Sequence, residues 1–400
     1  MSSAAARSAE VLVAGGGIGG LAVALALGRL GQRVRVFEQS HEIGEIGAGI
    51  QLGPNAFAAF DALGVGAQAR SRAVYTDRML MLDALDGSTI IDFPLGEAFR
   101  ERFRNPYAVI HRADVHRTLL EGVKALELVS FETGTRVSEV SADAAGVSVT
   151  DQRGNRFEGC ALIGCDGVKS VVRQTFVGDD VRVSGHVVYR AVVDAADFPE
   201  DLKLNAPVVW SGPDCHLVHY PLRAGEQYNV VVTFHSRRAE TWGVAEGSAD
   251  EVQSYFQGIL PRARQLLMLP KSWKRWATAD REPIARWSYG PVTLLGDAAH
   301  PMLQYLAQGA CMALEDAVTL AAAVRANEGD FTTAFAHYER SRVTRTARVL
   351  LMAREMGRIY HAKGVERLVR NDLWKGRTAQ RYYDAVEWLY DWDPARALAR

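Results

Sequence analysis

The strongest constraint on this chain lies near its amino end, where residues 10–40 read EVLVAGGGIGGLAVALALGRLGQRVRVFEQS. An apolar run leads into Gly15, Gly17 and Gly20 in GxGxxG spacing, an Ala- and Leu-rich helical stretch follows, and a second apolar run ends in Glu38. These are the parts of one βαβ unit that holds a dinucleotide. Gly15 permits the tight turn, Gly17 lets the backbone approach a pyrophosphate, and Gly20 allows the helix to pack close to the strand. The helix start supplies partial positive charge, and Glu38 stands where a carboxylate accepts hydrogen bonds from a ribose diol. The motif alone does not choose between FAD and NAD(P). No second GxGxxG follows, so a dinucleotide held permanently is expected here.

The same stretch from Val11 is uncharged for long enough to imitate a membrane span, and Arg7 before it imitates the start of a signal peptide. Its glycines argue against an isolated helix, so a cytoplasmic chain with no membrane span is expected. With 46 Lys+Arg against 47 Asp+Glu there is no bulk charge for nucleic acid or an anionic membrane. Cys160, Cys165, Cys215 and Cys311 show no CxxC spacing. They read as free thiols in a reducing compartment, with no metal site.

At 400 residues the chain is long for one core. Both ends alternate apolar runs with helical patterns, the mark of α/β order. From Val181 to about Phe234 the runs HVVYRAVV, APVVW, HLVHY and NVVVTF are short and β-rich, as in an antiparallel sheet. Helical spacing returns in SADEVQSYFQGIL, which opens on a Ser cap, in ALEDAVTLAAAVRA, and from Phe331 to Tyr360. Trp374, Trp388 and Trp392 in the tail predict docking, onto the body or onto a neighbouring subunit.

Two further pieces complete a pattern. ALIGCDGVKSVVR places Asp166-Gly167 after an apolar run, and VTLLGDAAHPMLQYLAQGACMALEDA places Gly296-Asp297 after another. With the amino-terminal glycines, these resemble the three ordered fingerprints of the single-component FAD-dependent aromatic hydroxylases. The resemblance implies a Rossmann-like FAD-binding domain of the p-hydroxybenzoate hydroxylase type, an interleaved antiparallel-sheet substrate domain and a helical carboxyl terminus. It divides the chain into residues 1–75, 102–178 and 275–340 for FAD, 76–101 and 179–274 for substrate, and 341–400 as the helical segment. Asp297 would hold the ribityl and pyrophosphate region, and the amides of Gly309 and Ala310 would face the flavin ring. Asp166 would serve a nucleotide, with Arg173 open between that role and a structural tie. Arg112 resembles the family Arg packed near the flavin.

Four stretches, GEIGAGIQLGPNA, NPYAVIHRAD, CHLVHYPLR and AAHPMLQYLAQGA, narrow the likeness to members acting on phenolic benzoates. The implied reaction uses NADH, with NADPH as alternative, and O2 to convert 3-hydroxybenzoate to gentisate (2,5-dihydroxybenzoate). Salicylate and 6-hydroxynicotinate, hydroxylated with loss of carbon dioxide, are the alternative substrates. By the resemblance, His216 and Gln304 face the phenol, and Tyr107 and Tyr220 line the carboxylate side. Hydroxylation needs an electron-rich ring, and a His of ordinary pKa, about 6.5, accepts a phenolic proton near neutral pH. Along CHLVHYPLR, His216, Val218 and Tyr220 share one strand face, as a pocket wall or as core. His300, beside the GD pair, is expected to be structural or to touch cofactor. A homodimer is expected from the aromatic tail. A dehydrogenase or halogenase could share the fold, but the Trp-rich signature and amino-terminal catalytic Lys expected of such a halogenase are not seen. A chain holding FAD without catalysis stays open.

Overall fold

The computed structural model describes residues 10–44, 48–143 and 146–398. Arg7, and Glu45 to Gly47 of GEIGAGIQLGPNA, lie outside them. The amino-terminal βαβ unit forms the centre of a six-stranded sheet. The strand Glu10–Ala14 pairs in parallel with Arg33–Glu38 on one side and Ala161–Gly164 on the other. Val129–Thr133 and Val292–Leu294 extend it in parallel, and the edge pair Ser288–Tyr289 runs antiparallel. Helices cover its faces, so Val11 to Ala14 and Ala161 to Ile163 are fully buried. The helix Ile18–Arg29 packs against Gly309–Ala326 and Arg112–Lys124. Its Ala-rich surface lets three helices approach over the strand ends.

A second sheet of eight strands stands beside this unit. Its order is Gly243–Gly247, Trp273–Asp280, Arg182–Asp194, Gln227–His235, Cys215–Leu222, Val208–Gly212, Arg78–Asp83 and Thr89–Pro94. The strands from Arg182 to His235 pair antiparallel, as expected, and the sheet becomes mixed where Val208–Gly212 runs parallel to the earlier strand Arg78–Asp83. Arg78–Asp83 arrives from an early segment, and the chain returns to its side only after crossing the first sheet, which leaves a parallel register.

The two faces of this sheet have different partners. Leu217, Val230, Val232, Trp210 and Trp273 join a core with Val252, Phe256 and Leu266. On the other face Val188, Val209, Val218, Tyr220 and Val231 pack against Val109, Ile359 and Tyr360. That second face looks toward a small sheet, Gly49–Leu52, Ala108–His111 and Val74–Tyr75, and toward the carboxyl-terminal helices. The predicted helix from Phe331 to Tyr360 runs 30 residues, capped by Asp330 through the N–H groups of Thr332 and Thr333. The tail docks on the body: Trp374, Trp388 and Trp392 are partly buried against the main core, with Trp374 stacked on Tyr382.

Candidate active site

The glycine turn divides its labour. Gly15 has φ +106, and a Cβ there would collide with the Cys165 carbonyl. A Cβ on Gly20 would strike the Gly15 carbonyl, whereas one on Gly17 would meet nothing within 4 Å. Gly15 and Gly20 are therefore fixed by packing, and Gly17 opens on free space at the start of Ile18–Arg29, a helix without a side-chain cap. Glu38 ends the second strand. Its carboxylate accepts from Gly16 N at 2.9 Å and Ser40 N at 2.8 Å, and retains lone pairs for a diol. These residues fit the ADP half of a dinucleotide.

The other fingerprints converge on the same region. Gly296 has φ +62 at the end of Val292–Leu294, and Asp297 beside it is exposed. A Cβ on Gly309 would lie 3.9 Å from Asp297 Oδ1, so the fold brings the GD turn to the start of Gly309–Ala326. Gly309 and Ala310 open that helix, and no side chain caps it. Gln308, just before them, is held by Asn55 Nδ2 at 2.9 Å. Two uncapped helix starts thus face the region a flavin nucleotide would fill.

Asp166 and Arg173 are not paired with each other. Asp166 Oδ2 accepts from Val171 N at 2.7 Å and Val172 N at 3.3 Å, holding the start of Val171–Phe176. Burial raises its carboxyl pKa, partly offset by Ser170 and those backbone N–H groups. Asp166 Oδ1 is buried without a hydrogen-bond partner among the described residues, an acceptor left over for a ligand. Arg173 is the structural tie. It is fully buried, paired with Asp179 at 2.6 Å, and it donates to the Ala298 and Ala299 carbonyls at 3.1 and 2.6 Å. Arg112 opens the helix Arg112–Lys124, its N–H donating to the Ala48 carbonyl, while His111 Nδ1 accepts from Ala113 N.

The strand Cys215–Leu222 is buried along its whole length. His216, Val218 and Tyr220 do share the face turned toward the small sheet, and Leu217 looks into the opposite core. Tyr220 packs where Gly49 passes: a Cβ on Gly49 would lie 2.9 Å from the Tyr220 hydroxyl. Tyr107 donates to Gln51 Oε1 at 2.6 Å and packs edge-on to Tyr390. Burial pushes its hydroxyl well above the usual range, reinforced by Tyr390, Cys311, Tyr360 and Tyr220. The two expected carboxylate-side tyrosines are both buried, Tyr107 in the main core and Tyr220 in the core on this sheet face, near enough for Tyr220 to influence Tyr107.

His216 departs from expectation. Burial, with His186 nearby, lowers its imidazole to about 3, so it is neutral at physiological pH rather than poised near it. Its Nδ1 lies 2.8 Å from His361 Nε2. Tyr305 packs on it at 5.5 Å between ring centroids. Gln304, next to Tyr305, has no hydrogen bond to His216, and its Nε2 is a buried donor without a partner among the described residues. His300 is engaged elsewhere, 2.6 Å from Asp316.

Sequence reasoning passed over His361, Tyr305 and Arg190. Tyr305 lay inside the quoted loop. Arg190 lies on the strand face of Val188 and Val192, close enough to Tyr220 and Arg112 to feel their charge, and only the register of Arg182–Asp194 would have revealed it.

A glycine turn ending on an acidic strand tip, a GD turn beside an uncapped helix, and a buried pocket wall on a second sheet define a flavin-dependent aromatic hydroxylase. The chain belongs to the FAD binding domain family, whose model matches residues 8–350. It is 70% identical over 390 residues to 3-hydroxybenzoate 6-hydroxylase of Polaromonas naphthalenivorans strain CJ2, covering 98% of each chain. Against 3-hydroxybenzoate 6-hydroxylase of Klebsiella oxytoca it is 59% identical, over 98% of this chain and 99% of that one. Klebsiella pneumoniae HpxO complexed with FAD and uric acid superimposes with a TM-score of 0.83 at 28% identity, covering 94% and 95% of the two chains.

Proposed function

We propose that the chain uses a nicotinamide cofactor and O2 to hydroxylate 3-hydroxybenzoate para to its hydroxyl, giving gentisate. The observation that carries this reading is the buried strand face that His216, Val218 and Tyr220 share at alternate positions, with Tyr107 of the neighbouring core close enough to feel Tyr220. Full-length relatives named for that reaction support it.

Bound FAD would supply the redox chemistry, taking electrons from the nicotinamide and passing them to oxygen. Gly17, in the turn that Gly15 and Gly20 shape by packing, would let the backbone approach its pyrophosphate, Glu38 and Asp297 would bind its sugar hydroxyls, and Arg112, Asp166, Gly309 and Ala310 would contact the remainder. Gln304 donates its unpartnered amide N–H to the phenolic oxygen. His216 takes the phenolic proton, which makes the ring electron-rich at the para carbon. Tyr107 and Tyr220 hold the carboxylate, and the buried sheet face keeps water from the reacting centre. NADH is the reductant in this reading, with NADPH the alternative. The residue ranges given above serve as its division into FAD, substrate and carboxyl-terminal parts.

A homodimer is also proposed. Val365, Leu368, Val369 and Leu373 form an exposed apolar stripe on Gly364–Trp374, the kind of face a second copy covers. No helix among the described residues is long and apolar enough to cross a membrane, and a cytoplasmic location is proposed.

The test follows NADH oxidation by the purified holoenzyme with 3-hydroxybenzoate, salicylate and 6-hydroxynicotinate in turn, with products identified by chromatography. One gentisate per NADH from 3-hydroxybenzoate alone is expected. Better coupling with either other acid would overturn the substrate while leaving the flavin chemistry in place.

A further inference from the structure

Four imidazoles meet where Cys215–Leu222 passes the end of the long helix Phe331–Tyr360. His216 Nδ1 and His361 Nε2 are 2.8 Å apart. The His361 and His186 ring centroids are 5.1 Å apart, and those of His186 and His235 are 5.2 Å apart. His216 is 3% exposed and His361 8%, whereas His235 is open to solvent. His361 Nδ1 is buried without a partner among the described residues. Ring contacts therefore lead from the proposed phenol site toward the surface, with the His216–His361 contact hydrogen-bonded and His186 Nδ1 lying 2.7 Å from the Tyr305 hydroxyl.

One hydrogen lies between two ring nitrogens at that distance. If His216 Nδ1 carries it, His216 Nε2 is a bare acceptor and neutral His361 holds its own proton at Nδ1. If His361 Nε2 carries it, His216 holds its proton at Nε2 and cannot accept another. The pair has two neutral arrangements, which differ by a proton gained at one end and lost at the other.

We propose that His361 is the second member of a proton relay. The phenolic proton passes to His216 Nε2, the His216 Nδ1 proton passes to His361 Nε2, and the His361 Nδ1 proton leaves toward His186 and the exposed His235. One O–H bond breaks, one N–H bond forms at His216 Nε2, and one proton departs; the oxygen keeps its electron pair and neither ring retains a charge. This rests on the phenolic substrate proposed above. It also removes a difficulty, since an isolated imidazole as buried as His216 resists protonation at neutral pH. The groups facing the pair are His186, His235, Tyr305 and Tyr360, with Asp214 paired to Lys363 and Arg182 paired to Asp280 near His186.

His361 acts through His216 and is a positioning residue. Its test compares the wild-type holoenzyme with His361→Gln and His361→Leu, reading gentisate per NADH from about pH 6 to about pH 9, below the phenol range near 10. The Gln amide oxygen still accepts from His216 Nδ1 but passes no proton on; Leu does neither. We expect wild-type yield to be level across the range. In both variants yield should drop about tenfold or more at neutral pH and recover as pH rises, with FAD content and substrate-stimulated NADH oxidation kept. His361→Gln with wild-type yield and profile would overturn the relay, as would a loss that high pH does not restore. If His361→Leu does not fold, His361→Gln decides alone. A wild-type enzyme that makes no gentisate overturns the substrate reading before any variant is compared. The same comparison on whichever phenolic acid it does hydroxylate then decides the relay.

Discussion

His300 Nε2 lies 2.6 Å from Asp316 Oδ2, and both side chains are buried. Asp316 Oδ1 accepts from Arg342 Nε at 2.6 Å, Arg342 Nη1 donates to Glu315 Oε2 at 2.6 Å, and Glu315 Oε1 accepts from Asn55 and Arg345. The histidine that follows the GD turn is thus tied into a buried ionic network at the Gly309–Ala326 helix.

Burial would raise the Asp316 carboxyl, yet His300 and Arg342 hold it down to about 2. Its contribution to stability is complete above about pH 4 and is lost as pH falls toward that lowered value. Asp316→Asn leaves Arg342 short of a buried counter-charge. We expect it to cost about 3–5 kcal/mol by denaturant titration at pH 7 and to loosen FAD. A variant with wild-type stability would show that the network is not strained by the loss.

The glycine turn separates folding from binding. Gly20→Ala drives a methyl into the Gly15 carbonyl and should abolish soluble, folded protein. Gly17→Ala fills only open space, so it should fold with near-wild-type thermal stability and copurify with less flavin, read as the 450-nm absorbance ratio. Equal flavin content in Gly17→Ala and wild type would place the pyrophosphate elsewhere.

His216→Ala should retain FAD and substrate-stimulated NADH oxidation, while gentisate per NADH falls by about a hundredfold as oxygen is diverted to hydrogen peroxide. Product and peroxide measured together check this. Unchanged product per NADH would remove His216 from the mechanism.

Burial lowers both His216 and His219 to about 3, against about 6.5 in an unfolded chain. Both rings are neutral in the fold, so below about pH 6.5 the unfolded chain binds more protons and stability falls as pH falls. The decline should approach about 1.4 kcal/mol per pH unit for each ring and end near their folded values. Urea titrations at successive pH values between 7 and 4 measure the slope, and a flat stability across that window contradicts the assignment.

The βαβ unit was legible because its information is local: strand, glycine spacing, helix and Glu38 fall within about thirty consecutive residues. The face shared by His216 and Tyr220 was legible for the same reason, since strand alternation is a nearest-neighbour property. What escaped depends on long-range register. His361 reaches His216 across 145 residues, and helical spacing in Phe331–Tyr360 says nothing about which strand its end will meet. The depressed pKa of His216 followed from burial on all sides, which a single strand cannot disclose. The parallel pair of Val208–Gly212 with Arg78–Asp83 needed the path of the intervening chain.

The carboxyl-terminal helices have a consequence for how the protein is made. Arg370 reaches Ser211 and Asp83, Asp214 N donates to the His361 carbonyl, and Tyr390 closes over Tyr107. Every nucleotide-binding fingerprint is translated by Ala310, but His361, Tyr360 and Tyr390 leave the ribosome afterwards. A nascent chain can thus assemble the glycine turn and the GD turn while its pocket still lacks a wall. The order of synthesis leaves the face of His216 and Tyr107 uncovered until the last helices dock.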